Sequence, residues 1–100
     1  MAAYMVVLAE LTDRDGFMKY AVEAAKLIPQ FGGEYIVRGP SESERLEGDW
    51  PDGLKVVVSK WPDLAAARAF WNSPEYAEVK KLREGKARVQ VRLVDGVPES

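Results

Sequence analysis

Between Tyr4 and Leu11 the residues are apolar at both odd and even positions. A run so rich in β formers, without polar alternation, predicts a strand buried on both faces. The period then changes. Phe17, Tyr20 or Ala21, Ala24, Leu27, Ile28 and Phe31 recur at helical spacing, while Lys19, Glu23 and Lys26 fill the other side. Thr12 and Asp13 offer an N-cap, and Asp15 puts negative charge in the first turn. Pro29 ends or kinks the helix, because it lacks a backbone donor and crowds the preceding turn. Gly32-Gly33 supplies the left-handed conformations a helix C-terminus needs.

A second strand is expected over Glu34 to Arg38, followed by a turn at Gly39-Pro40-Ser41-Glu42-Ser43 and a brief pairing segment at Arg45-Leu46-Glu47. Asp52-Gly53 is a strong turn signal, and Leu54 to Trp61 reads as the third strand. Asp63 caps a short alanine-rich helix from Leu64 to Trp71. Ser73 is a fresh N-cap, with Pro74 at the first helical position and Glu75 behind it; this third helix runs through Tyr76, Val79, Leu82 and Arg83 and stops near Gly85. The last strand spans Arg88 to Asp95, with Val89, Val91 and Leu93 on one face. Residues 1–96 form one domain, and 97–100 read as a short tail.

The order β-α-β-β-α-α-β makes two βαβ halves, hence an α+β fold with a four-stranded antiparallel sheet and helices on one face. The first and third strands are nevertheless apolar on both faces. An open face carrying residues such as Met5 or Val7 is too apolar for a monomer, so a homodimer with sheets packed face to face is expected.

Composition narrows the chemistry. With 14 basic and 16 acidic residues, net charge −2, and no basic stripe, nucleic acid and anionic lipid are not expected partners. The absence of cysteine removes disulfides, thiolate nucleophiles and thiolate metal sites. The absence of histidine removes the commonest general base, transition-metal ligand and proximal haem ligand. No acidic segment is spaced like a calcium loop, so no metal and no cofactor is expected. Met1-Ala2-Ala3-Tyr4 lacks a charged n-region and no apolar run reaches membrane length, so a soluble cytoplasmic protein is expected, with no membrane partner.

Several motifs in order carry a resemblance. Gly32-Gly33, Val37-Arg38-Gly39, Leu46-Glu47-Gly48-Asp49-Trp50-Pro51, Trp61-Pro62, Ala65-Ala66-Ala67-Arg68, Trp71-Asn72-Ser73-Pro74-Glu75-Tyr76 and Leu82-Arg83 together resemble the domain of unknown function 1330 family. The resemblance covers roughly residues 4–95. It implies a ferredoxin-like βαββαβ subunit in a dimeric α+β barrel and little about chemistry. The wider group of such barrels includes cofactor-free monooxygenases, haem-degrading enzymes, chlorite dismutases, small isomerases and ligand-sensing domains. Members that need a histidine have no counterpart here.

Seven residues are candidates for binding a small organic ligand. Arg38 is a charge in an apolar strand, suited to holding a carboxylate or enolate oxygen; an ion pair with Glu34 or Glu47, or a solvent-directed strand end, is its structural alternative. Trp71, Asn72 and Tyr76 resemble the aromatic-amide-phenol set of cofactor-free monooxygenases, with Arg83 or Arg92 as the cation. Their ordinary roles are core, helix closure and capping. Arg83 lies near the face of Tyr76 but would equally pair with Glu75, Glu78 or Glu84. Trp50 would lid a cleft or pack across a dimer, Tyr20 is a core residue with its hydroxyl at the edge, and Glu47 with Asp49 reads as exposed loop acid. No catalytic residue is assigned. The expected function is a small-molecule-binding barrel, and the alternative is a cofactor-independent monooxygenase or isomerase on an aromatic or enolisable substrate.

Overall fold

The computed structural model describes residues 2–38, 43–51 and 53–97. Four strands, β1 (Ala3–Leu11), β2 (Glu34–Arg38), β3 (Lys55–Trp61) and β4 (Ala87–Asp95), form one antiparallel sheet in the order β2-β3-β1-β4. Helices α1 (Arg14–Leu27), α2 (Leu64–Trp71) and α3 (Pro74–Lys80) cover one face. This is the α+β, ferredoxin-like arrangement, with the first strand central. Among the described residues, no helix is long and apolar enough to cross a membrane. The expected turn at Gly39-Pro40-Ser41-Glu42, the Asp52 half of the Asp52-Gly53 turn and the tail beyond Val97 lie outside the described residues.

Helix boundaries follow local chemistry. The Gly16 N–H donates to Asp13 Oδ1 at 2.9 Å, and this bond, before any other influence, holds the Asp13 carboxyl below its ordinary pKa. The Ala66 N–H donates to Asp63 Oδ1 at 2.8 Å to start α2. Ser73 works in both directions: its hydroxyl donates to the Phe70 carbonyl at 2.7 Å and accepts from the Tyr76 N–H at 3.0 Å. α2 and α3 are thereby stitched together at a buried corner. Pro29 converts the end of α1 into a 3-10 turn, Ile28–Phe31, closed by Gly32 at φ 90°. α3 likewise tightens into a 3-10 turn, Lys81–Arg83, where a continuous helix was expected.

Parity in the sheet differs from expectation. Met5 and Val7 point toward the helices, Met5 within the core and opposite Ser59. The open face carries the even positions instead: Val6 and Leu8 of β1 lie beside Val58 and Val56 of β3. The parity is set by Ala3 and Trp61, a register pair that is 0% and 1% exposed beneath α2. The expected pairing of Arg45-Leu46-Glu47 does not form; this stretch is irregular and exposed, with Leu46 87% accessible.

The core is aromatic. Phe70 lies with its ring centroid 5.0 Å from Trp61, 4.5 Å from Tyr76 and 5.8 Å from Phe31, which joins the sheet to α2, α3 and the 3-10 turn. The Trp61 indole N–H donates to Ser59 Oγ at 2.9 Å, so neither buried polar group is left unpaired. Gly33 is required beneath this cluster: a Cβ there would lie 2.7 Å from the Trp61 ring and 2.8 Å from Ile28 Cγ2. We expect Gly33→Ala to destabilise the fold by about 1–3 kcal/mol through overpacking. In urea denaturation the midpoint should fall with an unchanged slope.

Candidate functional site

The aromatic core fills the space between sheet and helices at the Ala3–Trp61 end of the central strands. Toward the Leu11–Lys55 end that space is a cavity of about 1040 Å³. Ser59, Phe70, Trp71 and Tyr76 close its deep end, Tyr20 and Phe17 of α1 form a side wall, and β1 supplies Met5, Val7 and Ala9. The mouth is bounded by Arg14, Arg38, Lys55 and the segment from Ser43 to Pro51.

At the deep end two phenols meet. Tyr20 and Tyr76 share a hydrogen bond, oxygen to oxygen 2.8 Å, with either able to donate. Burial, and then the neighbouring Tyr76 phenol, push the Tyr20 phenol far above its ordinary pKa. Burial raises Tyr35 too, and the Arg38 guanidinium pulls it part of the way back. Tyr20 and Tyr35 are therefore neutral hydrogen-bonding groups over the whole physiological range, and Tyr20 in particular is a poor base. Tyr76 packs between Phe70 and Trp71, whose rings lie 4.5 and 5.2 Å away, so its position is tightly held.

Arg38 reaches the mouth because of a β-bulge. Tyr35 opposes Ser59 and Arg38 opposes Val57, with one extra residue, Ile36, in the β2 side of the ladder. Ser59 and Val57 share a parity, so Tyr35 and Arg38 point into the same side although they are three apart. The guanidinium carbon lies 4.8 Å over the Tyr35 ring. Arg38 is an exposed residue at the strand end, and among the described residues neither Glu34 nor Glu47 comes within ion-pair distance of it.

The other candidates divide. Tyr20, Tyr76, Trp71 and Trp50 line the cavity, Trp50 at the rim with its carbonyl 3.5 Å from Arg45 Nη1. Asn72 does not: it is exposed and closes α2 through its backbone, its N–H donating to the Arg68 carbonyl. Its side chain follows the end of the helix outward because α2 must stop where Ser73 caps α3. Arg83 also lies outside the lining, stacked behind the wall with its guanidinium carbon 5.4 Å from the Tyr20 ring centroid. Its Nε is buried and unpartnered among the described residues, and Glu78 is taken by Lys81. Arg92 is exposed and opposes Val6, on the other side of the sheet. Glu47 lines the cavity and Asp49 does not, so the two are no carboxylate pair. Among the described residues no group of three acidic side chains could hold a metal ion.

Sequence reasoning missed Tyr35, Phe17 and Lys55. Lys55 shares the parity of Val57, Ser59 and Trp61, so a lysine on the helix-facing side of β3 was a legible anomaly. Tyr35 was hidden by the bulge, which no local pattern announces.

The model of the domain of unknown function family DUF1330 matches residues 2–97. The chain belongs to the DUF1330 family. No curated protein sequence matches it significantly. Among solved structures, this DUF1330 protein is similar to a protein of unknown function from Rhodopseudomonas palustris, with a TM-score of 0.77 and 18% identity over 98% of this chain and 84% of that one. It is similar to a dimeric ferredoxin-like protein of unknown function from Jannaschia sp. CCS1, with a TM-score of 0.74 and 18% identity over 96% of this chain and 100% of that one. SnoaB, a cofactor-independent oxygenase from Streptomyces nogalater, gives a TM-score of 0.71 at 14% identity over 98% and 95%. At such identities the likeness is one of fold.

Replacing Tyr20 by Phe tests the phenol pair. The Tyr20 pKa is raised on folding, so its contribution to stability is complete below the unfolded value of about 10 and is lost as pH rises beyond it. Tyr20→Phe should cost about 1–2 kcal/mol at pH 7, because the Tyr76 hydroxyl loses its partner. It should also flatten the fall of the melting temperature between pH values of about 9 and 11, as followed by circular dichroism.

Proposed function

We propose that this DUF1330 protein binds a small, planar, largely apolar organic molecule in the cavity between its sheet and helices, and that it does so as a homodimer. The observation that carries the reading is the deep end of the cavity, where the hydrogen-bonded phenols of Tyr20 and Tyr76 sit among the rings of Phe17, Phe70 and Trp71. Aromatic walls with a few convergent polar groups are the usual makeup of a ligand site, and the volume suits a molecule of two or three rings. The Tyr20 phenol, its pKa raised by burial, serves as a hydrogen-bonding group and is a poor proton acceptor. That favours binding over the alternative, a cofactor-independent monooxygenase or isomerase, which draws its support from the fold shared with the Streptomyces oxygenase. A cytoplasmic location belongs to the same proposal.

The test uses 2-naphthol as a neutral aromatic probe, titrated calorimetrically. It should bind and raise the melting temperature. Tyr76→Phe should weaken it about 3–10-fold, the worth of one hydrogen bond. Ala21→Trp, which fills the cavity from α1, should abolish binding while the chain still folds. Failure of 2-naphthol to bind, or unchanged affinity in Ala21→Trp, would remove the reading.

Dimerisation is proposed through the open sheet face, where Val6, Leu8, Val56 and Val58 form an apolar surface flanked by Tyr4 and Val94. That the Jannaschia protein is dimeric supports pairing as such, and the apolar surface supports this face. This face is opposite to the cavity, so pairing leaves the mouth open. Sedimentation equilibrium at micromolar concentration should give a dimer, and Val58→Asp should give a folded monomer. A monomeric wild type overturns the pairing without touching the ligand proposal.

A further inference from the structure

The cations at the cavity mouth are unexplained by an apolar ligand. Arg14 on α1, Arg38 on β2 and Lys55 on β3 converge there from three elements. The ion pairs among the described residues are Lys26–Glu23, Lys81–Glu78 and Lys86–Asp13, so among those residues no carboxylate lies within 4.0 Å of any of the three cations. Asp15, Glu44 and Glu47 line the same cavity and still do not pair with them. Like charges gathered from separate elements disfavour one another, and a partly buried one also loses hydration. Lys55 carries that cost: burial first, then the Arg38 and Arg14 guanidiniums, hold its amine below the ordinary lysine pKa. Its Nζ lies 5.9 Å from the Phe17 ring centroid, over an apolar wall instead of in open water.

We infer that the molecule bound in this cavity is a planar aromatic carboxylate, its anionic group held among Arg38, Lys55 and Arg14 and its rings directed toward the phenol pair. The inference rests on the binding proposal above and names the ligand class. An anion between the three cations removes their mutual repulsion, and a guanidinium offers a carboxylate two parallel hydrogen bonds. From Lys55 to Ser59 is four residues along β3, about 13 Å of wall at ~3.3 Å per residue. A two-ring acid with a polar group at its far end spans that wall from the cations to Tyr20 and Tyr76.

The experiment compares 6-hydroxy-2-naphthoate with its neutral twin, 6-hydroxy-2-naphthamide, by isothermal titration calorimetry at low salt. The carboxylate should bind at least about tenfold tighter, and the gap should shrink as salt is raised. In the double variant Arg38→Ala/Lys55→Met the gap should close, with amide affinity within about twofold of wild type. Lys55→Met alone should raise the melting temperature while weakening the carboxylate, which separates a binding cost from a folding defect. Equal affinities in the wild type, or a gap that survives the double variant, overturn the inference and leave the binding proposal standing. If neither compound binds, both fail.

Discussion

The ring of Phe70 touches Trp61 on the sheet, Tyr76 on α3 and Phe31 in the 3-10 turn after α1, and the rest of the subunit is organised around that stack. Rings of this size bury large areas, and truncating Phe70 would cost about 3–5 kcal/mol. The stack holds α2 and α3 at a fixed height above the sheet. The spacing continues beyond the stack, where smaller side chains such as Ala9 and Ala21 replace the rings. The cavity is therefore a consequence of how the core is distributed: full at one end, underfilled at the other.

That gradient explains why the site has two chemistries. At the deep end the environment is poor in water, so the polar groups present pair with one another, Tyr20 with Tyr76 and the Trp61 indole with Ser59. At the mouth water still reaches, and the cations have no carboxylate partner among the described residues. Arg38 rests on Tyr35 and Lys55 approaches Phe17, so aromatic faces supply part of the stabilisation that ion pairs give elsewhere. Arg83 belongs to neither end. It stands behind Tyr20 with a buried Nε that has no partner among the described residues, a feature for which the fold supplies no account.

The cap residues made the element order readable. Asp13, Asp63 and Ser73-Pro74 start their helices where short-range hydrogen bonding demands, and Pro29 with Gly32 ends the first. Each acts within four residues, so each is written locally. The site was less legible. Tyr20 was found as a core position of α1 whose hydroxyl sits at the edge, and Trp71 and Tyr76 by residue type, while Asn72 matched by type and is turned to solvent by the end of α2. Lys55 was passed over although its parity was available, and Tyr35 was unreadable because the bulge at Ile36 breaks the period of two.

By itself, the sequence determined the succession of strands and helices, the ferredoxin-like order that follows from it, and the exclusion of histidine- and cysteine-dependent chemistry. Only the tertiary structure decided which parity of β1 faces the helices, since a strand with apolar residues at both parities satisfies either choice until Ala3 is set opposite Trp61. It alone brought Tyr20 against Tyr76, 56 positions apart, and set Arg14, Arg38 and Lys55 on one rim. Caps and turns are decided by neighbours along the chain; a binding site is decided by neighbours in space.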